Sequence, residues 1–179
     1  DFKNFLDYKI SNSTKIYDRT GDIVLYDLQG SVRRTEIPLT TMGDNLKKAT
    51  IAVEDATFYS HGGVRPKSTI YAVFKTLTTG KKRGGSTITQ QVVKNAILTR
   101  DRTVSRKIKE WVLAVRIESV LSKDQILEIY LNQNPYGGVT YGAYEGARGL
   151  FNKDPKDLTL AEAAYMAAIP KGPSVYSPY

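Results

Sequence analysis

From Asn45 to Ala168 the chain repeats one period: apolar residues recur three and four positions apart, in runs that end on glycine or proline or open on a hydroxyl residue. Segments patterned this way each bury one helical face, and a sheet would turn about half of those apolar side chains outward. Leu46, Ala49, Val53 and Ala56 predict a helix from Asn45 to about Tyr59, stopped by Gly62-Gly63. Pro66 opens another through Leu77, ended by Gly80. The basic loop Lys81-Lys82-Arg83-Gly84-Gly85 leads into a helix from Thr87 to Leu98. Thr103 caps a long helix to Leu121, with Val104, Ile108, Val112 and Val115 on one stripe. Ser122 with Gln125 makes a capping box for a helix over 123–133, and Thr159 with Glu162 repeats it for 160–168, which Pro170 ends. Residues 134–150 hold five of the fourteen glycines and three tyrosines and read as a loop with short helical turns.

The N-terminal part departs from this period towards strand. Ile16-Tyr17, the turn cluster Asp18-Arg19-Thr20-Gly21-Asp22 and Ile23-Val24-Leu25-Tyr26 predict a β-hairpin, with a further short strand near Val32–Ile37. The expected fold class is therefore mainly α with a small N-terminal β-hairpin.

A length of 179 residues supports one domain with its own core. The absence of cysteine excludes disulfides, thiolate nucleophiles and Cys-based zinc sites, and a single histidine argues against a His-rich metal centre. No apolar run approaches the roughly 20 residues that span a bilayer. The start at Asp1 without a methionine and the stop at Ser177-Pro178-Tyr179 read as an excised piece whose anchor lies outside it. A net charge of +8 favours anionic partners: nucleic acid, phospholipid headgroups or a phosphorylated substrate.

Three constellations carry chemistry. In Glu54-Asp55-Ala56-Thr57-Phe58-Tyr59-Ser60-His61, helical spacing puts Ile51, Glu54 and Phe58 on one face with His61 two turns after Glu54. A carboxylate beside Ile51, Val53 and Phe58 is partly desolvated, which suits general acid or base work. The same residues also fit a surface Glu-Asp pair with His61 capping the helix. In Arg83-Gly84-Gly85-Ser86-Thr87-Ile88-Thr89-Gln90-Gln91 followed by Lys94, a Gly-Gly loop opening a helix presents N–H groups to an anion, or is simply a capped turn. Arg102, Arg106, Lys107, Lys109 and Glu110 make either a cationic wall for a diphosphate or an i,i+4 ion pair between Arg106 and Glu110.

Together these segments resemble the signature of the family 51 glycosyltransferases, the peptidoglycan polymerases of class A penicillin-binding proteins and monofunctional enzymes. Glu54, Asp55, Phe58, His61 and Gly63 match a first motif; residues 84–91 with Lys94 and Asn95 a second; Arg106, Lys107 and Glu110 a third. Ile126 to Asn132 resembles a fourth, and Leu160 to Ala164 through Pro173-Ser174 a fifth. Tyr71, where the family often has arginine, and Gly146 to Phe151 depart from the pattern.

The resemblance implies a lysozyme-like helical domain over 43–179 behind a 1–42 linker. Its substrates would be lipid II and the growing glycan chain, at the outer face of the bacterial cytoplasmic membrane. Glu54 would be the base that deprotonates the acceptor hydroxyl, and Glu110 a second catalytic carboxylate. Lys94, Arg102 and Arg106 would meet the diphosphate, and Asp55, Phe58, His61, Gly85, Ser86, Thr87, Gln90, Gln91 and Lys109 would contact substrate. It further implies Mg²⁺ or Mn²⁺ at Glu110, no organic cofactor, inhibition by moenomycin, and a C-terminal transpeptidase domain in the full protein. The segment Pro66–Leu77 would meet the membrane surface or pack as core. A lysozyme-like hydrolase or lytic transglycosylase also needs a glutamate in a helical cleft, but has no use for diphosphate-binding cations. A nucleic-acid-binding module rests on net charge and twelve tyrosines, without a recognised binding fold, so no nucleic-acid partner is expected.

Overall fold

The structure, a computed structural model, describes residues 14–21, 24–28, 32–65, 85–97 and 104–178. The predicted helix Pro66–Leu77, the basic loop up to Gly84, Tyr71, Arg102 and the Thr103 cap lie outside the described residues. Mainly helical architecture with a little sheet is what the chain adopts. It divides into two units, one over Glu54–Tyr130 and another combining Lys9–Val53 with Leu131–Tyr179.

In the second unit the hairpin forms as its sequence predicts. Strands β1 (Thr14–Tyr17) and β2 (Val24–Leu28) pair antiparallel, Ile16 opposite Tyr26. Asp18 closes the turn by accepting from the Gly21 N–H at 3.0 Å and the Thr20 hydroxyl at 2.6 Å. The further strand near Val32–Ile37 is β3 (Arg33–Arg34). Helix α1 (Asp44–Glu54) follows and crosses into the first unit at its last residue.

The expected loop over 134–150 is instead ordered structure. Strands β4 (Pro135–Gly137) and β5 (Thr140–Tyr141) pair antiparallel, β3 adds parallel to β5, and a nine-residue helix, named α5 in chain order, spans Ala143–Phe151. Its glycines serve geometry, not mobility. Gly142 adopts φ +83° to start the helix, and a Cβ on Gly146 would sit 2.8 Å from the Tyr136 ring and 2.9 Å from Met166. That close approach accounts for Gly146, part of the departure from the family pattern. Glu145, 4% exposed, is held by the exposed Arg33 at 3.1 Å and the Thr35 hydroxyl at 2.5 Å, so an ion pair ties β3 to α5.

Helix α6 (Leu160–Lys171) opens on the predicted capping box: Thr159 N–H donates to Glu162 at 2.8 Å, and Glu162 N–H donates to the Thr159 hydroxyl at 3.3 Å. Pro170 does not end it. A proline in the last turn forfeits one hydrogen bond, and Gly172 N–H closes the helix on Ala168 at 3.1 Å before α7 (Pro173–Tyr176).

In the first unit, α2 (Ile88–Ile97) packs on α3 (Val104–Glu118), and α4 (Lys123–Gln133) starts with the predicted Ser122–Gln125 box. Ile88, Val92, Val93, Ala114, Ile117, Ile126 and Leu127 are fully buried. Each of the larger ones contributes about 1.5–3 kcal/mol relative to exposure. The α3 stripe turns outward: Ile108, Val112 and Val115 are at least half exposed, whereas Glu110, Ala114 and Ile117 face inward. Gly63, at φ +83°, brings its loop so close to α3 that a Cβ would lie 2.6 Å from the Ala114 carbonyl oxygen.

Candidate active site

The inward face of α1 is partly polar. Leu46 and Ala49 are buried as predicted, but Val53 and Ala56 are exposed, and the buried row continues through Thr50 to Glu54. Glu54, 8% exposed, is the last residue of the helix. Its Oε2 accepts from the Gln91 side-chain amide at 2.7 Å. Gln91 is placed by the cap on α2. There Thr87 N–H donates to Gln90 Oε1 at 2.8 Å, and Gln90 N–H donates to the Thr87 hydroxyl at 3.1 Å, a reciprocal box that fixes the first turn. The Thr87 hydroxyl donates in turn to the Gly63 carbonyl at 2.6 Å.

The predicted continuation of α1 to Tyr59 does not occur. Asp55 turns its side chain inward, Phe58 N–H closes a turn on the Asp55 carbonyl at 2.8 Å, and a 3₁₀ turn covers Phe58–Ser60. Glu54, Phe58 and His61 therefore share no helix face. Asp55 Oδ2 accepts from His61 Nε2 at 2.8 Å and from the Ile88 N–H at 3.1 Å, and Arg65 stands 3.6 Å from Oδ1. A single buried carboxylate thereby ties the turn after Glu54 to the start of the helix bearing Gln91. Four residues implied as cleft contacts, Asp55, Phe58, Thr87 and Gln90, are at most 1% exposed. Three of them spend hydrogen bonds on protein groups, and Phe58 packs edge-on to His61 with centroids 6.3 Å apart. His61 is mostly covered as well.

A cationic group forms on α3. Lys107 donates to Ser86 Oγ at 3.0 Å and pairs with Glu110, which is 1% exposed. The pairing is i,i+3 from Lys107, where spacing had offered i,i+4 from Arg106. Lys107 belongs to the third motif, but nothing in helical spacing announces Ser86 as its partner; that contact is tertiary. Gly85, Ser86, Gln91 and Arg106 are half-buried, while Lys94 and Lys109 are exposed. Among the described residues no group of three or more His, Cys, Asp or Glu could hold a metal ion. Glu110, the one carboxylate implied as a ligand, pairs with the Lys107 ammonium.

One carboxylate oriented by an amide and another paired with an ammonium form an arrangement able to supply a base in one place and a cation in another. The transglycosylase family model matches residues 22–179. The chain belongs to that family, glycosyltransferase family 51, and is a peptidoglycan glycosyltransferase domain. It is 46% identical over 169 residues to penicillin-binding protein 1F of Bacillus subtilis (strain 168), covering 93% of this chain and 23% of the relative. Against penicillin-binding protein 1A of Rickettsia bellii (strain RML369-C) it is 41% identical, covering 99% and 23%. Against penicillin-binding protein 1A of Neisseria lactamica it is 44% identical, covering 91% and 20%. The chain thus spans less than a quarter of the length of these curated relatives.

Proposed function

We propose that the domain polymerises lipid II into glycan strands, with Glu54 as general base. The observation that carries this is the Glu54 carboxylate, set at the end of α1 and oriented by Gln91. Glu54 takes the proton of the acceptor GlcNAc 4-hydroxyl as that oxygen attacks the anomeric carbon of the donor MurNAc. The carbon–oxygen bond to diphosphate breaks on the opposite face. A β-1,4 bond forms with inversion, and undecaprenyl diphosphate departs with the electron pair. Lys94, Arg106 and Lys107 meet the charge that develops there, with Ser86 beside Lys107. Cations fixed in advance need no reorganisation at the moment of bond breaking. Arg102 joins this set by resemblance. Glu110 holds Lys107 in place. Mg²⁺ or Mn²⁺ would find a single carboxylate already engaged by an ammonium, so these residues do not form a protein-held metal site, and no step here runs through one.

The setting is the outer face of the cytoplasmic membrane, in a longer protein that also carries a transpeptidase domain, as the relatives' penicillin-binding name suggests. No helix among the described residues is long and apolar enough to cross a membrane. Support for a lipid-facing side comes from α3. Its exposed face combines Ile108, Val112 and Val115 with Lys109 and Arg116, and both of its acids are buried or paired. Val64 and Trp111 complete a groove of about 520 Å³ there. An apolar stripe flanked by cations suits an anionic lipid interface.

Lipid II polymerisation by the wild type and by Glu54→Gln tests the assignment. The variant is expected to retain fold and moenomycin binding and to lose polymer formation and diphosphate release. Undiminished polymerisation would remove Glu54 from the role, and shortening of preformed glycan by the wild type would favour the hydrolase.

A further inference from the structure

Outside the proposed site, one ion pair touches the turn after Glu54 and the helices α2 and α3. Lys123, the first residue of α4, donates to the His61 carbonyl oxygen at 2.6 Å and to Glu118 Oε1 at 2.6 Å. Its ammonium also lies 4.6 Å from the centroid of the Phe58 ring. Glu118, the last residue of α3, accepts on the same oxygen from the Thr89 hydroxyl at 2.5 Å. The two side chains are 21% and 9% exposed, so the pair is largely withdrawn from solvent screening.

We propose that Lys123 and Glu118 are positioning residues for glycosyl transfer: their pair sets where the turn after Glu54 stands relative to α2 and α3. The turn Phe58–His61 is held at the His61 carbonyl by Lys123 and at the His61 ring by Asp55. Helix α2, which brings Gln91 to Glu54, is held at Thr89 by Glu118 and at Ile88 by Asp55. Helix α3, which carries Lys107 and Glu110, ends at Glu118 itself. Base and counter-charges thus converge on one junction that touches neither. Rates respond to such placement more steeply than binding does, because a displacement of about 1 Å costs on the order of 100-fold when reacting atoms must be aligned. A lysine suits the junction where arginine would not, since one ammonium nitrogen reaches a carbonyl, a carboxylate and a ring face together.

The inference rests on the proposed lipid II reaction, and its test separates the two. The double variant Lys123→Met, Glu118→Gln, made in the intact chain, removes both charges at nearly constant volume and leaves Thr89 an acceptor, so no lone charge stays buried. Expected are an unchanged circular dichroism spectrum, moenomycin affinity and lipid II KM within about twofold of wild type, and a kcat lower by about 10- to 100-fold. Thr89→Val, which cuts only the α2 arm, is expected to fold normally and to lose about 3- to 10-fold in kcat at constant KM. Wild-type kcat in the folded double variant overturns the proposal. So does wild-type kcat in Thr89→Val if the double variant does not fold. Should Glu54→Gln stay inactive in either case, the failure belongs to the junction alone; an active Glu54→Gln would instead unseat the underlying reaction.

Discussion

Asp55→Ala separates a scaffold role from a substrate contact. The Asp55 side chain is fully buried and accepts two hydrogen bonds, from His61 and the Ile88 N–H. Truncation leaves both donors without their acceptor inside the first unit. Hydrogen bonds to a charged acceptor are worth about 1.5–3 kcal/mol each, so the expected loss of unfolding free energy is about 3–6 kcal/mol. Against a typical total of about 5–15 kcal/mol this is severe. For a domain of this size it corresponds to a Tm lower by about 6–24 °C. Asp55→Asn keeps the shape and one acceptor oxygen and should lose about half as much. Urea denaturation followed by circular dichroism measures the loss, with polymerisation assayed in parallel. If Asp55 served mainly by touching substrate, Asp55→Ala would abolish polymerisation while unfolding stayed within about 1 kcal/mol of wild type, and that pair of results would refute the scaffold reading.

Gly63→Ala should cost about 2–4 kcal/mol in the same denaturation experiment, because φ is +83° and the new Cβ would meet the Ala114 backbone at 2.6 Å. A cost under about 0.5 kcal/mol would mean the loop yields easily. The Glu162 carboxyl is held below its usual value first by the Lys153 hydrogen bond and then by the Thr159 N–H. Its stabilisation is therefore complete above its ordinary value of 4.5 and fades as pH falls through the lowered one. Stability of Glu162→Gln, followed by urea titration from neutral to acid pH, should fall less steeply at the acid end than that of the wild type. Val112→Asp with Val115→Asp should weaken sedimentation with vesicles of anionic phospholipid by at least about tenfold, and added salt should weaken the wild type's binding too. Unchanged sedimentation would exclude this face of α3 as the lipid contact.

Capping boxes and helical periods were legible residue by residue. Ser122 with Gln125 and Thr159 with Glu162 close the first turns as their spacing says, since a cap involves only neighbours in the chain. The Asp18–Gly21 turn between β1 and β2 was readable for the same reason. Motif residues were readable as a set, but not by what each one touches: Asp55, Thr87 and Gln90 sit beside Glu54 and Gln91 in sequence, yet spend hydrogen bonds on protein groups.

By itself, then, the sequence determined most of the helical segments among the described residues and where they begin, and that carboxylates and cations recur at intervals able to share a site. Tertiary structure alone decided which face of each helix turns inward. On α1 the buried row passes through Thr50 to Glu54, and on α3 the apolar stripe of Ile108, Val112 and Val115 turns outward. It also decided that 134–150 folds, because β5 gains β3 as a partner from about a hundred residues away. A helical period specifies a face but not a direction. Direction is set by what the opposite face must reach, and for α3 that is Ser86 through Lys107 and Thr89 through Glu118.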